Sequence, residues 1–402
     1  MNIAIFTNNY LPNPFGVSMS IESFRREFEK LGHTVYIFAP DFKDYVDENK
    51  NVFRYPALDL KFKNIRFPIA IPYSYRIDRI LESLEIDVIH SQHPNLLGWQ
   101  ARRWAKKKNV PLIFTWHTLY DQYAHFAPFI PRKLAAWWTI KNAVKYANRC
   151  DQIIVPTKSV KKIITDWGVR NENIQAVATG VEESFFQNTD RVGTRKKFGI
   201  EDDEVALLLL SRLTTEKNVE FLVRAVIKIL KKNEKIYPVK SAIDRGAEQF
   251  NRVKFILAGE GQELPKLKKM IVNAGLINKV VFSGIVQREI TKNIFAAADI
   301  FVYASKSETQ GMILTEAMCL GLPVVAVAAT GAIDIVGNQI TGLLVKENED
   351  EFASAVERLI NDVELRKRFS ENAEKIAKEN YTAPICAQKM LEIYQKNIGT
   401  KK

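Results

Sequence analysis

The sequence predicts an α/β protein made of two doubly wound parallel sheets. Short apolar runs alternate with helical patterns from end to end, as strands joined by crossover helices require. The 402 residues are enough for two ordinary cores. A polar stretch, QNTDRVGTRKKFGIEDDE, separates two such alternating series. In the first series the strand-like runs are Ile3 to Phe6, Val35 to Phe38, Val88 to Ser91, Leu112 to Thr115 and Ile153 to Pro156. In the second they are Val205 to Leu210, Val253 to Ala258, Val280 to Ser283, Ile300 to Ala304 and Val324 to Val327. The expected domains are residues 1–186 and 204–380, followed by an amphipathic helix over 384–398.

Composition narrows the class. A chain that is 47% hydrophobic and 26% charged fits a soluble globular protein, and no apolar run approaches the roughly 20 residues that span a bilayer. The opening, MNIAIFTNNYLP, has no basic leader and reads as a strand rather than a signal peptide. Cys150, Cys319 and Cys386 are odd in number and far apart, which indicates neither a disulfide framework nor a zinc site. The reducing cytosol is the expected compartment. The net charge of +12 calls for an anionic partner: nucleic acid, anionic lipid or a charged substrate. No RNP, zinc-finger or helix-turn-helix signature is present, so no nucleic-acid partner is expected.

After the first strand comes NNYLPNPFGV, a turn-rich loop in which Gly16 can bring backbone N–H groups to a phosphate. It contains no G-x-G-x-x-G and no P-loop, so it supports neither a nicotinamide site nor a Walker-type site. Further on, His90, His93 and His117 follow strand ends, where open α/β sheets bind ligands. For His90 and His93, polar packing is the simpler account. No histidine pair has the helical spacing of a metal site with a nearby acid, and no metal is expected.

The first half also carries a basic, aromatic face. From Arg54 to Lys108 eleven Lys or Arg outnumber five Asp or Glu, interleaved with Phe62, Phe67, Tyr73, Tyr75, Trp99 and Trp104. On a helical wheel RKLAAWWTIKNAVKY places Ala136, Trp137, Ile140, Ala143, Val144 and Ala147 towards the core, and Leu134, Trp138, Lys141 and Lys145 outward. A tryptophan ringed by lysines suits a headgroup boundary, each Lys adding about 1 kcal/mol on an anionic leaflet. Lys61, Lys63, Arg66, Trp138, Lys141 and Lys145 are the expected membrane contacts.

In the second half Arg212 and Lys217 follow the first strand, five residues apart, where two cations can flank a diphosphate and neutralise charge on a leaving group. Lys231 to Arg252 is longer than an ordinary helix-to-strand connection and is expected to hold a surface loop. ETQGMILTEAMCLGLP then follows a strand. A helix from about Met312 to Leu320 puts Glu316 among Met312, Ile313 and Leu320, a carboxylate on an apolar face that needs hydroxyls or cations as partners. Glu308 lies in the preceding loop, and Gly311 lets N–H groups approach a ligand at the helix N-terminus. A polyhydroxylated, phosphorylated ligand suits both features.

The segment SETQGMILTEAMCLGLPVVA closely resembles the Glu-x7-Glu segment of retaining GT-B glycosyltransferases, in particular family 4. Arg212 and Lys217 match that family's diphosphate-binding pair. TWHTLY is similar to the segment whose histidine faces the transferred sugar, and its spacing from HSQHPNLLG resembles the branch acting on membrane lipids, the diacylglycerol glucosyltransferases and phosphatidylinositol mannosyltransferases. FILAGEGQE and VVFSGIV resemble the Gly-x-Gly loop and the stretch that reads the base, with Ile285 the base neighbour.

The resemblance implies GT-B architecture, two Rossmann-like domains facing a central cleft, with the final helix returning to the first. It assigns Glu316 to the ribose, Arg212 and Lys217 to the diphosphate, and Glu308 with N–H groups near Gln310, Gly311 and Met312 to the sugar. Gly16 then lies near the phosphates and His117 near the transferred sugar. The implied enzyme is a retaining, metal-independent hexosyltransferase without a cofactor, peripheral on the inner face of the cell membrane. Its favoured donor is UDP-glucose and its favoured acceptor 1,2-diacylglycerol, giving an alpha-monoglycosyl glycolipid. A soluble or polysaccharide acceptor stays open. So does a non-catalytic sugar-nucleotide or lipid-binding protein, because Gln310 replaces an aromatic often found before that glycine. Galactose and GDP-mannose donors stay open as well, and nothing sets an oligomeric state.

Overall fold

A computed structural model describes residues 1–13, 15–62, 65–120, 132–236 and 252–401. The chain divides into two compact units, Met1–Gly180 with Ala383–Lys402, and Val181–Thr382.

In the first unit the elements are β1 (Asn2–Phe6), α1 (Gly16–Lys30), β2 (Thr34–Pro40), β3 (Val52–Tyr55), β4 (Ala57–Phe62), β5 (Ile65–Ala70), α2 (Tyr75–Ser83) and β6 (Val88–Ser91). They continue with α3 (Leu97–Lys108), β7 (Leu112–Thr115), α4 (Arg132–Ala147), β8 (Gln152–Val155), α5 (Lys158–Asp166) and β9 (Ile174–Ala176). Seven strands form a parallel sheet in the order β3-β2-β1-β6-β7-β8-β9, while β4 and β5 pair as an antiparallel hairpin. Strands β1 and β6 are covered on both faces, which is why they read as apolar runs rather than as alternating patterns.

The second unit contains α6 (Arg191–Phe198), β10 (Glu204–Leu210), α7 (Val219–Ile236), β11 (Arg252–Ala258), α8 (Leu264–Asn273), β12 (Val280–Gly284), α9 (Arg288–Ala297) and β13 (Ile300–Tyr303). After these come α10 (Met312–Cys319), β14 (Val324–Val327), α11 (Ala332–Ile335), β15 (Gly342–Val345), α12 (Glu349–Asn361) and α13 (Val363–Asn380). Its parallel sheet has the order β12-β11-β10-β13-β14-β15. Both sheets therefore reverse direction beside their first strand, between β1 and β6 and between β10 and β13. Neighbouring loops diverge at such a switch point and open a crevice at the strands' C-terminal ends.

The last helix, α14 (Ala383–Lys401), belongs to the first unit. It buries Ala387, Met390, Leu391 and Tyr394 against Phe28, Val35 and Ile37. The division after Gly180 lies earlier than the expected boundary at residue 186. Val181, Phe185 and Ile200 bury in the second unit's core, and Phe185 meets Phe295 edge-on at 5.9 Å. The polar stretch is not a bare linker either. It folds as α6, whose buried Arg195 donates to the carbonyls of Ala297, Glu201 and Glu204. Surface-like residues conceal a structural role there. Within the expected Lys231 to Arg252 loop, α7 continues to Ile236, and residues 237–251 lie outside the described residues.

Candidate active site

The second unit gathers its charged groups at the switch point. After β10 the chain turns through Arg212 to Lys217, and the Gly259-x-Gly261 loop after β11 packs directly on that turn. A Cβ at Gly259 would lie 1.9 Å from the Ser211 carbonyl oxygen, and one at Gly261 would lie 2.1 Å from that of Leu213. Two backbone bonds fasten the contact, Leu213 N–H to Glu260 O at 2.8 Å and Glu263 N–H to Leu213 O at 3.0 Å. The glycines thus hold the segment that carries Arg212, whose side chain is exposed and lies 3.5 Å from Glu216.

Lys217 pairs with Glu308, which follows the neighbouring strand β13. Tyr303 and Ser305 hydroxyls also donate to the Glu308 carboxylate, at 2.6 and 3.2 Å. Burial by itself would push this carboxyl up, but Lys217, Tyr303 and Ser305 together outweigh it and hold it below the ordinary carboxylate value. Gly331 closes the back of the loop: a Cβ there would lie 2.9 Å from the Glu308 Cβ. Gln310 is buried, and Gly311 takes φ +75°, in the region that favours glycine. No side chain caps α10 there; the Leu314 N–H turns back to the Gly311 carbonyl at 2.8 Å, and the N–H groups of Met312 and Ile313 head the helix.

Glu316 sits on the buried face of α10, as its place among apolar neighbours requires. Its partner is Arg288, the first residue of α9. Burial raises the Glu316 carboxyl above its ordinary value, and Arg288 offsets only part of that rise. Ile285 is highly exposed in the preceding turn. Arg288, Tyr303, Ser305 and Gly331 are absent from the sequence-derived set. In the sequence only Glu316, a carboxylate on an apolar face that needs hydroxyls or cations, hinted that such partners exist.

In the first unit Gly16 opens α1. It is exposed, its φ is not positive, and a Cβ there would meet no described atom within 4 Å. Neither packing nor backbone strain within the unit therefore demands glycine. His93 accepts the Asn8 N–H at Nδ1, 3.1 Å away, tying the first loop to the loop after β6. His90 bridges Tyr394 of α14 and Thr115 of β7, each at 2.6 Å. These two histidines hold the unit together. His117 lies nearby, with Nε2 at 2.6 Å from Gln92 Oε1.

Burial pushes the imidazoles of His90 and His117 down to about 3 and that of His93 down to about 4, and protonation of His117 is further opposed by its neighbours His93 and His90. In the unfolded chain the same rings take up protons as pH falls through about 6.5. The unfolded state then binds more protons, so the first unit should lose stability progressively from about pH 6.5 towards pH 4. Denaturant midpoints measured across this range should show it. A His90→Asn, His93→Asn double variant should bind about two fewer protons on unfolding; an unchanged slope would refute buried neutral rings.

The basic, aromatic face is only partly as expected. Trp137 points outward rather than into the core: it is 55% exposed, beside Trp138 at 59% and Leu134 at 54%. The buried stripe of α4 is rotated towards Ala135, Ala143, Tyr146 and Ala147, because Tyr146 packs edge-on against Phe114 and donates to the Gly98 carbonyl at 2.9 Å. Lys141 and Lys145 are exposed, and Lys141 Nζ stands 4.7 Å over the Trp137 ring. Trp104 is fully buried, and Arg103 and Lys107 pair with Asp78 and Glu82 of α2, which reduces the free charge of that face. Arg66 lies between Asp44 at 3.5 Å and Asp59 at 3.7 Å. Lys63 and the Lys61 side chain lie outside the described residues. Among the described residues no helix is long and apolar enough to cross a membrane.

The pattern of Glycosyltransferase Family 4 matches residues 15–185, and that of Glycosyl transferases group 1 matches residues 190–376. An alpha-monoglucosyldiacylglycerol synthase of Streptococcus pneumoniae is 30% identical over 395 residues, covering 95% of this chain and 83% of the relative. The chain belongs to the family 4 glycosyltransferases. A second synthase of the same name, from Acholeplasma laidlawii, is 28% identical over 99% of this chain and 98% of its own. The solved sucrose-phosphate synthase of Thermosynechococcus elongatus superposes with a TM-score of 0.78 at 18% identity, over 99% of each chain. At that identity the likeness concerns the fold, and this glycosyltransferase has the two Rossmann-like units of GT-B.

Proposed function

We propose that this glycosyltransferase moves a hexose, glucose from UDP-glucose by preference, to the free hydroxyl of 1,2-diacylglycerol with retention at the anomeric carbon. The observation that carries the proposal is the meeting of Lys217 and Glu308, beside the Arg212 turn, at the C-terminal ends of β10 and β13. Two cations stand there for a diphosphate, and a carboxylate held ionised stands there for sugar hydroxyls. The choice of acceptor is supported by the names of the two synthases that span nearly the whole chain.

In the proposed step the bond from the sugar's C1 to the donor phosphate oxygen breaks, and a bond from the acceptor oxygen to C1 forms on the same face. The acceptor proton passes to the departing phosphate. Arg212 and Lys217 neutralise the leaving diphosphate, with no metal or cofactor assigned. Glu316 takes the ribose hydroxyls and Ile285 lies by the base, while Glu308 and the N–H groups near Gln310, Gly311 and Met312 hold the sugar. Gly16 serves the phosphates and His117 the transferred sugar.

The enzyme works as a peripheral protein on the anionic inner face of the cell membrane, using the exposed Leu134, Trp137, Trp138, Lys141 and Lys145 of α4. The test is transfer of label from UDP-glucose, UDP-galactose and GDP-mannose to vesicles carrying diacylglycerol, with and without anionic lipid, in EDTA. An alkali-stable labelled glycolipid, formed faster on anionic vesicles, is the expected product. Donor hydrolysis without a lipid product would remove the acceptor assignment. Exchanging Lys141 and Lys145 for glutamate should reverse the anionic-lipid effect, each lost Lys weakening attachment by about 1 kcal/mol; flotation that is indifferent to both changes would sink the assignment of α4.

A further inference from the structure

Among the described residues Glu316 has one charged partner, Arg288, which also contacts an aromatic ring. The Arg288 guanidinium pairs with Glu316 Oε1 through Nη1 and lies over the Phe185 ring, 4.7 Å from its centroid. Phe185 in turn is buried against Phe295. The ring contact and the ion pair together restrict the direction of the guanidinium, whose side chain is 43% exposed. Among the described residues the carboxylate receives one hydrogen bond, at Oε1, which leaves acceptor capacity for a diol.

Other charges near α10 are directed elsewhere. On α13, Glu374 pairs with Lys378, and Arg366 donates to the carbonyls of Leu359 and Ile360. On α9, Lys292 is bound to the carbonyls of Ser184 and Gln187. Asp334 of α11 is half-buried, and β14 carries no titratable group. Among the described residues Arg288 is the charged group that bears on Glu316.

We propose that Arg288 is the positioning residue of the ribose subsite: clamped on Phe185, it supplies the counter-charge that aims Glu316, and affinity for the nucleotide ribose depends on it. The inference rests on the assignment of Glu316 to the ribose. Its physical basis is that a buried carboxylate deprived of its cation takes up a proton, and a neutral acid is a poorer acceptor for two hydroxyls than a carboxylate.

The test is calorimetric binding of UDP and GDP to the full chain, keeping whichever binds more tightly, together with its 2′-deoxy analogue. Arg288→Met should weaken binding about tenfold near neutral pH, the scale of one charge-assisted network, and the preference for the 2′-hydroxyl should collapse. Relative to the intact protein, affinity should recover as pH rises, because burial raises the Glu316 carboxyl and, without Arg288 to offset that rise, it ionises only at higher pH. Arg288→Lys, which keeps the charge and loses the planar stack, should fall between the two and serves if the methionine variant does not fold. Wild-type affinity and a flat pH ratio in both variants would overturn the inference. Glu316→Gln separates the two ideas: unchanged nucleotide affinity there removes the ribose assignment itself, whereas weakened affinity there with normal Arg288 variants removes only the role of Arg288.

Discussion

Replacing Lys217 with methionine is expected to lower kcat by about a hundred- to a thousandfold, the range seen when a preorganised group facing developing charge is removed. Two losses coincide. The leaving diphosphate loses its less exposed cation, since Arg212 stands in solvent while Lys217 is largely buried. Glu308 also loses the largest of the influences that together outweigh its burial, keeping the Tyr303 and Ser305 hydroxyls, so its carboxyl moves up and it becomes a weaker acceptor for sugar hydroxyls. A Lys217→Met, Glu308→Gln double variant should therefore fold more stably than Lys217→Met alone, because no buried charge is left unpaired, yet remain inactive. Initial rates and denaturant midpoints on the three proteins check both parts. A kcat within about threefold of the intact enzyme would refute the role given to Lys217.

His117→Ala is expected to cost about a hundredfold in kcat, a common scale for a positioned polar group at a reacting centre. The form of the pH dependence is more diagnostic than the size. With the imidazole pushed down to about 3 by burial and by His93 and His90, it is neutral throughout the working range. The rate of the intact enzyme should then show no histidine inflection between about pH 5.5 and 8. Gln92→Glu would place a carboxylate 25 residues away in sequence against Nε2, favour the imidazolium and create such an inflection. An inflection near pH 6.5 already present in the intact enzyme, and absent from His117→Ala, would show that the ring is charged in use.

The interior strands were legible because they are covered on both faces and carry unbroken apolar runs: Val88–Ser91 and Leu112–Thr115 coincide with the expected limits. Of the edge strands, β12 was anticipated as Val280 to Ser283, whereas β3, β9 and β15 and the β4–β5 hairpin were not, being short or one-sided. Trp137 shows the limit of a helical wheel. Periodicity gives the width of an apolar stripe, but Tyr146 and its bond to Gly98 choose which part of it turns inward.

The sequence alone determined that the chain forms two doubly wound units, that Glu316 lies on a buried helix face, and that Arg212, Lys217, Glu308 and His117 follow strand ends. Those facts depend on local periodicity and on chain order, which neighbouring residues encode. Only the tertiary structure decided who meets whom: Lys217 with Glu308 across 91 residues, Arg288 with Glu316 across 28, and Gln92 with His117 across 25. Strand order brings β10 beside β13, and ring packing holds Arg288 on Phe185. Such pairings arise from the packed sheet as a whole, and no single stretch of sequence records them.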